Sequence, residues 1–401
     1  MERICEFLIC YVILFGCSKS EESNEFMNTK LIDFKNVKNF DSLISPRDLM
    51  KDVEYIKFNT PDEFKLTSVS KIQEMENKLI VLDGKNNILI AFDSNGNYIA
   101  QVGKIGEGPE EYKEASDFDI DQNSNIINIF SRADHAILQF DSDLKFLKKI
   151  KLKNWASQFG VLESGNLALY SYLGEESNKF NISIYNQSGE VIDQKMMVNP
   201  SKNFIPLNYS GFINKEFYTY PLSSKIYKIK ENQKEDSLVY LIDFPNKFEE
   251  KNIFDHGSYI NPADKIKKNI LSKFEIGDDG EFLCYYEFRE GLSNGYTLGV
   301  RLSSGETFGH QNMHHAAKGK GDVFVWMFFT GPYSILSYSK ESEFYYAASN
   351  IDVVAVYQDY ITQRIKEKNV KDIKLLNLLE DMDLEEPVLM KFKLKKYIRT
   401  H

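Results

Sequence analysis

Five polar hairpin turns recur along this chain, the first four at near-constant intervals, and that recurrence limits the fold more than any single motif does. The turns are Ala91-Phe92-Asp93-Ser94-Asn95-Gly96, Gln139-Phe140-Asp141-Ser142-Asp143-Leu144, Ile184-Tyr185-Asn186-Gln187-Ser188-Gly189, Tyr227-Lys228-Ile229-Lys230-Glu231-Asn232 and Val300-Arg301-Leu302-Ser303-Ser304-Gly305. Aligned on residues 92, 140, 185, 228 and 301, they are spaced by 48, 45, 43 and 73 residues. A period of about 40–50 residues is that of a four-stranded propeller blade. The long interval requires an insertion, and Phe248–Ser272, with Pro245 and Pro262 around it, supplies one of partly helical character.

A second signal precedes the turns. Asn77–Asp83, Asn125–Phe130, Gly165–Tyr170 and Gly280–Tyr285 each open on a turn residue and continue as β-branched or aromatic runs, as an inner strand does. The last unit is degraded: strands are expected over Val323–Phe329, Tyr333–Tyr338 and Val388–Lys395, and helices over Ile351–Lys368 and Asp372–Asp381. Its fourth strand is expected from Val53–Phe58, a closure that pairs the two ends of the chain and removes open sheet edges. The expected fold is therefore all-β: a six-bladed β-propeller over residues 51–401, with an N-terminal strand closing the last blade and short helical insertions. A pair of β-sandwiches is the rival, disfavoured because the repeat runs through the chain without a linker. Phe 29 and Tyr 23 against Trp 2 suit pleated surfaces.

The N-terminus carries an address rather than a fold. Phe7–Phe15 is apolar but shorter than the roughly 20 residues that span a bilayer, and it reads as the apolar core of a signal peptide over residues 1–16. An ordinary secretion signal or a short buried helix is the plainer alternative. Leu14-Phe15-Gly16-Cys17 resembles the bacterial lipobox, which makes Cys17 the expected lipidated residue. Residues 17–50 then form a lipidated cysteine and tether; Ser18–Thr29 is polar and acidic, and its opening Cys17-Ser18-Lys19-Ser20-Glu21-Glu22 resembles the acidic surface-export signal of Bacteroidetes lipoproteins. Cys5 and Cys10 leave with the signal, so Cys284 remains alone and reads as a small core residue, not a nucleophile. Removing the signal changes the net charge from −10 to −9. With no basic run, that charge argues against nucleic acid.

Taken together, the lipobox, the stretch Gly103-Lys104-Ile105-Gly106-Glu107-Gly108-Pro109-Glu110-Glu111-Tyr112 and the ending Glu386-Pro387-Val388-Leu389-Met390-Lys391-Phe392-Lys393-Leu394-Lys395 resemble the six-bladed β-propeller lipoproteins of Bacteroidetes, relatives of the NHL-repeat propellers. Glu110 stands where that family more usually has Gly. The resemblance covers nearly the whole mature chain and implies a fold and an envelope location, the outer membrane. It carries over no catalytic residue.

In a propeller the inter-blade loops and the loops between second and third strands open on one face around the channel. On that assignment Gly103–Glu114, Ser131–Asp134, Tyr172–Lys179, Arg289–Asn294 and His310–Asp322 share a funnel. The expected ligand-binding residues are Lys104, Glu107, Tyr112, Arg132, Arg289, His314 and His315, with Glu110, His310 and Lys318 nearby. Mixed charge with Tyr and His suits a polar ligand.

Each feature also has a structural explanation. Gly103-x-x-Gly106-x-Gly108 could cradle a phosphate, but Pro109 and the strand context point to turn geometry. His310, His314 and His315 could approach a metal, yet no Cys or carboxylate stands at ligand spacing in Gln311–Gly319, so a solvated loop is expected and no metal or cofactor. Asp121-x-Asn123-x-Asn125 lacks the Gly and distant Glu of a calcium loop and reads as an Asx turn. Arg364, Lys366 and Lys368 read as a solvated helix face. No Gly-x-Ser-x-Gly, His-Glu-x-x-His or P-loop is present. The expected function is a lipid-anchored, non-catalytic module for a glycan, peptide or envelope protein, touching the membrane through its lipid only. The alternatives are a metal-assisted lyase or hydrolase over the channel, and a structural subunit of an outer-membrane complex.

Overall fold

A computed structural model describes residues 29–33, 46–61, 64–171, 180–197, 212–214, 216–219, 224–233, 235–243, 270–276, 282–289, 295–300, 307–311, 323–328 and 335–395. The chain begins with β1 (Lys30–Asp33), a 3-10 turn at Pro46–Leu49 and β2 (Met50–Lys57). The first complete sheet is β3 (Lys71–Met75), β4 (Lys78–Asp83), β5 (Ile88–Asp93) and β6 (Tyr98–Gln101). A small parallel ribbon, β7 (Lys104–Ile105) with β8 (Glu111–Tyr112), leads into β9 (Asp117–Asp121), β10 (Ile126–Ser131), β11 (Ala136–Phe140) and β12 (Phe146–Lys151).

The third sheet is β13 (Gln158–Val161), β14 (Leu167–Tyr170), β15 (Phe180–Tyr185) and β16 (Val191–Met197). The fourth contains β17 (Phe212–Asn214), β18 (Phe217–Thr219), β19 (Lys225–Lys228) and β20 (Ser237–Asp243). The fifth is β21 (Ile270–Ile276), β22 (Phe282–Arg289), β23 (Gly295–Val300) and β24 (Thr307–Gln311). Helix α1 (Val323–Phe328) precedes β25 (Ile335–Tyr338) and β26 (Tyr345–Ala348). Then α2 (Ile351–Val356), α3 (Gln358–Lys366) and α4 (Ile373–Glu380) intervene before β27 (Val388–Leu394).

Among the described residues, five sheets have four strands and one has five; β7–β8 is a separate pair. In the five-stranded sheet, β1 adds in parallel to β20 at the outer edge. Lys30–Asp33 thus lies inside the stretch expected to be tether, because Ile32 is buried in the sheet while Leu31 faces solvent. The strands nearest the axis lie beside one another in sequence: β25 beside β3, β3 beside β9, β9 beside β13, and β13 beside β17, with β21 beside β25. The protein is an all-β propeller with a few helices. The runs read as inner strands, β4, β10, β14 and β22, are each second from the axis.

Both faces of most sheets are covered, which explains why β4 and β5 read as continuous apolar runs rather than alternating ones. Met75, Ile80 and Leu89 pack with Phe118, Ile127, Ile129 and Phe140 between the first two sheets. Phe130, Ile137 and Ile150 meet Phe159, Leu167 and Tyr185 between the second and third.

Local chemistry sets the hairpins. Asp93 accepts hydrogen bonds from the backbone N–H groups of Asn95 and Asn97, and Asn186 accepts from those of Ser188 and Glu190. The turn then needs a left-handed residue, supplied by Gly96 (φ 86°) and Gly189 (φ 83°). A bulge precedes the turn in four sheets, between Ala91 and Phe92, Gln139 and Phe140, Ile184 and Tyr185, and Ile226 and Tyr227.

The last sheet is closed by the N-terminal strand. β2 pairs antiparallel with β27, with Tyr55 opposite Met390 and Lys57 opposite Val388. One expectation for this sheet changes. Val323–Phe329 is not a strand: Val323, Phe324, Met327 and Phe328 are buried on α1, inside the cluster that also holds Leu375 and Leu379 of α4. Its place is taken by β26, which pairs with β25 and β27. The expected helices over Ile351–Lys368 and Asp372–Asp381 are found as α2–α4, with Asn350 and Asp372 accepting from the first free N–H groups of α2 and α4. The expected insertion Phe248–Ser272 lies outside the described residues except for its last three, which belong to β21.

Candidate functional site

The stretch Gly103–Tyr112 was the first part of the expected funnel, and its geometry is structural. Glu111 turns back to accept the Gly108 N–H at 2.8 Å, while the Gly106 N–H reaches the Tyr112 carbonyl at 3.0 Å. A carboxylate therefore fills the turn that a phosphate would need, and a side chain at Gly106 would collide with it. Gly103 takes φ 68° with the rings of Tyr112 and Phe140 against its α-carbon.

Tyr112 must be corrected as a ligand residue. It is fully buried between the first two sheets, its hydroxyl donating to the Val102 carbonyl at 3.1 Å, and burial raises its pKa. Sequence reasoning erred because a Tyr ending a glycine-rich loop is as suited to plugging a core as to facing a ligand.

The other expected residues are placed as follows. Lys104, Glu107 and Glu110 are exposed. Glu107 stands 3.8 Å from Lys113, and Arg132 stands 3.5 Å from Glu114. Such exposed pairs are worth at most about 1 kcal/mol. Asp134 accepts from the Lys113 N–H and the Ser131 hydroxyl. The structure thus gathers Glu107, Lys113, Glu114 and Arg132 near the first inter-blade loop. Arg289 ends β22 and His310 lies in β24, but nothing of their side chains is described. His314, His315, Lys318, the loop Tyr172–Lys179 and Cys17 lie outside the described residues.

The cavity on the axis lies at the opposite end of the channel, where first strands turn into second strands. It measures about 340 Å³ and draws its lining from five sheets. Gln73 and Glu74 lie in β3; Asp119–Asp121 end β9, with Gln122 and Asn123 after it; Val161 ends β13, with Leu162 and Glu163 after it; Glu216 and Phe217 join β17 to β18; and Tyr338 ends β25, with Lys340 after it.

Most of its carboxylates are already held. Asp119, buried, accepts from the Gln73 side chain at 2.6 Å and from the Val161 N–H at 2.7 Å. Gln73 in return accepts the Ile120 N–H. Glu74, also buried, accepts from the hydroxyls of Ser342 and, at 3.0 Å, Tyr346. Burial raises the Tyr346 phenol well above its ordinary value, and the Glu74 charge adds to the effect.

Asp121 accepts from the Asn123 N–H and the Ser124 hydroxyl, the Asx turn expected from its spacing. Glu216 pairs with Lys228 at 2.5 Å. Burial lowers the Lys228 pKa, but the Glu216 hydrogen bond and the charges of Glu216 and Glu163 more than offset it, and the ammonium ends above its usual value. Glu163 is exposed and approaches Lys228 only through its field. The mouth is therefore acidic, with two aromatic side chains at its wall, Phe217 and Tyr338. Among the described residues, no three His, Cys, Asp or Glu side chains converge on a point where a metal ion would sit.

Asn77, Asn125 and Gly165, which read as openers of second strands, sit in the hairpin turns on the mouth side, and no local feature of the sequence shows that those turns meet.

The sequence of residues 29–393 matches the family described as "Domain of unknown function (DUF4934)". The chain belongs to that family. Its fold is similar to the crystal structure of an exported protein of Bacteroides fragilis, with 19% identity, a TM-score of 0.70, and coverage of 92% of this chain and 100% of that one. A member of the DUF4221 family from Bacteroides vulgatus is more distant, at 10% identity and TM-score 0.50, covering 86% and 97% of the two chains. Virginiamycin B lyase from Staphylococcus aureus shares 11% identity over 74% of this chain and 81% of its own, but its TM-score of 0.39 carries no inference about activity. The sequence matches no curated protein. At these identities DUF4934 members and the solved relatives fix the fold, not the ligand. Among the described residues no helix is long and apolar enough to cross a membrane.

Proposed function

We propose that this DUF4934 protein is an envelope binding module that recognises a basic peptide segment of a partner protein through the acidic mouth of its channel. The observation that carries this reading is the mouth itself: first turns from five sheets meet there and place Glu74, Asp119, Asp121, Glu163 and Glu216 around one cavity. Carboxylates that already accept hydrogen bonds from the scaffold are fixed point charges, suited to electrostatic recognition more than to carrying protons. Phe217, with the Lys228 ammonium over its ring, and Tyr338, packed on Tyr345, give the wall an apolar edge for the stem of a Lys or Arg side chain. An anionic glycan would be repelled, so a Lys- or Arg-bearing peptide fits better than a sugar acid.

The supporting address is the lipobox at Leu14–Cys17 and the exported relative from Bacteroides fragilis. On this reading Cys17 carries lipid and the protein sits on the outer membrane. On this reading the five-stranded sheet counts as one more blade of the wheel, making six, with β2 closing the last.

The test is a peptide and glycan array probed with the mature protein, followed by titration of the hits. Binding of basic peptides that weakens with salt and is lost in Glu163→Lys is expected. Binding unaffected by Glu163→Lys but abolished by Lys104→Glu or Arg132→Glu would move the site to the opposite face and sink this reading.

A further inference from the structure

We infer from the strand order that the acidic mouth is turned toward the membrane, so that its ligand is taken on the membrane side of the wheel. The inference deepens the proposed function and rests on its reading of Cys17 as the lipid-bearing residue.

The fourth sheet carries the argument. Its strands form a simple meander, β17 to β20, in which the first turn and the third turn lie at the same end. The first turn contributes Glu216 and Phe217 to the mouth. The third turn therefore also lies on the mouth side, and β20 runs from it toward the opposite face.

β1 pairs with β20 in parallel, Lys30 opposite Tyr240 and Asp33 opposite Asp243. It runs the same way, so its N-terminal end points to the mouth side. The Thr29 hydroxyl donates to the Leu238 carbonyl, one residue into β20, and fixes where the chain enters. The N-terminus thus joins the wheel at the rim of the acidic face.

The point of entry then favours one orientation over the other. Between Cys17 and Thr29 lie the eleven residues Ser18–Asn28. Eleven residues reach at most about 40 Å. β20 is seven residues long, a height of roughly 20 Å at strand rise, so running back along the sheet edge would take about half of that reach. Presenting the opposite face to the bilayer would oblige the tether to run back along that whole edge before reaching lipid. Presenting the mouth asks for no such extension. The loop face with Lys104 and Glu107 then points away from the membrane, and the ligand is held between the wheel and the bilayer.

The test uses the full-length protein, processed in cells, purified in detergent and reconstituted into phosphatidylethanolamine–phosphatidylcholine vesicles. In a Cys284→Ser background a fluorophore is placed on Ser94→Cys, in the exposed mouth-side turn between β5 and β6. In a second protein it is placed on Ala133→Cys, in the exposed turn between β10 and β11 on the other side. Headgroup-nitroxide lipid should quench the label at 94 severalfold more than the label at 133. Equal quenching, or the reverse order, overturns the orientation while leaving the anchor standing. Protein that never co-floats with vesicles, or that still does so after Cys17→Ala, overturns the anchor and the orientation with it.

Discussion

Tyr55 of β2 stands directly opposite Met390 of β27, so the first long strand of the propeller completes its last sheet. The Tyr55 hydroxyl also donates to Asp372, the N-cap of α4, tying the helices to the same seam. A chain begun at Asn59 would leave β27 as an unpaired edge whose free N–H and C=O groups invite pairing between molecules. The expected outcome is aggregation and loss of a single cooperative melting transition, read by calorimetry and light scattering. A chain begun at Asn28 keeps β1 and β2 and should melt as the mature protein does.

Tyr112 gives a sharper test of the inter-blade loop. Truncation to alanine removes a fully buried ring from the first core seam, and large aromatic-to-alanine changes cost about 3–5 kcal/mol. Tyr112→Phe keeps the ring and loses the hydroxyl, which donates to the Val102 carbonyl at 3.1 Å and accepts more weakly from the Leu89 N–H and the Gln101 side chain, a loss of about 1–2 kcal/mol. Urea titration should separate the two variants clearly. Equal, small losses would mean the ring is not the plug described here.

How far the sequence could be read follows from the range of each interaction. The hairpins were legible because Asp93, Asp141 and Asn186 bond to N–H groups within four residues, and Gly96 and Gly189 supply the backbone turn. The end-to-end closure was legible because alternating Val-Met-Phe-Leu in β27 leaves one strand still to be found. Val323–Phe328 was misread because six successive apolar residues have neither a period of two nor one of 3.6. Only its neighbours, Leu375, Leu376 and Met390, decide that it coils. Tyr112 and the acidic mouth depend on which way a loop folds and on which turns meet at the axis, and no residue spacing encodes either.

Asp117 and Asp134 should pull stability in opposite directions with pH. Burial raises the Asp117 pKa above its ordinary 3.8, against the pull of Lys71 at 2.9 Å. The native state then holds that proton more tightly than the unfolded chain. Its contribution falls as pH rises from 3.8 through the raised folded value. For Asp134 burial acts upward, but the Lys113 N–H, the Ser131 hydroxyl and the Lys149 charge outweigh it and lower the pKa. That contribution is present above 3.8 and lost as pH falls through the lowered value. Urea midpoints of Asp117→Asn should therefore gain on the parent as pH rises from 3.8 toward neutrality, while those of Asp134→Asn should lose ground on the parent at lower pH, on the rise from the lowered value to 3.8, and hold level above it.

The last test concerns the contact that joins three sheets. Asp119 accepts from Gln73 on β3 and from the Val161 N–H on β13, while Gln73 accepts the Ile120 N–H. Asparagine at 119 is nearly isosteric, yet it has one acceptor oxygen where the carboxylate offers two. If that oxygen keeps Val161, its amide meets the Gln73 amide donor to donor. Gln73 cannot flip without surrendering Ile120. A buried donor left unpaired costs about 1–3 kcal/mol, so Asp119→Asn should destabilise by that amount. Gln73→Ala removes the clash, and Asp119→Asn made in that background should cost markedly less, a coupling of about 0.5–3 kcal/mol between touching residues. Chemical unfolding of the four proteins in the cycle measures it. Simple additivity would show that Asp119 and Gln73 do not hold the first two sheets together at the axis.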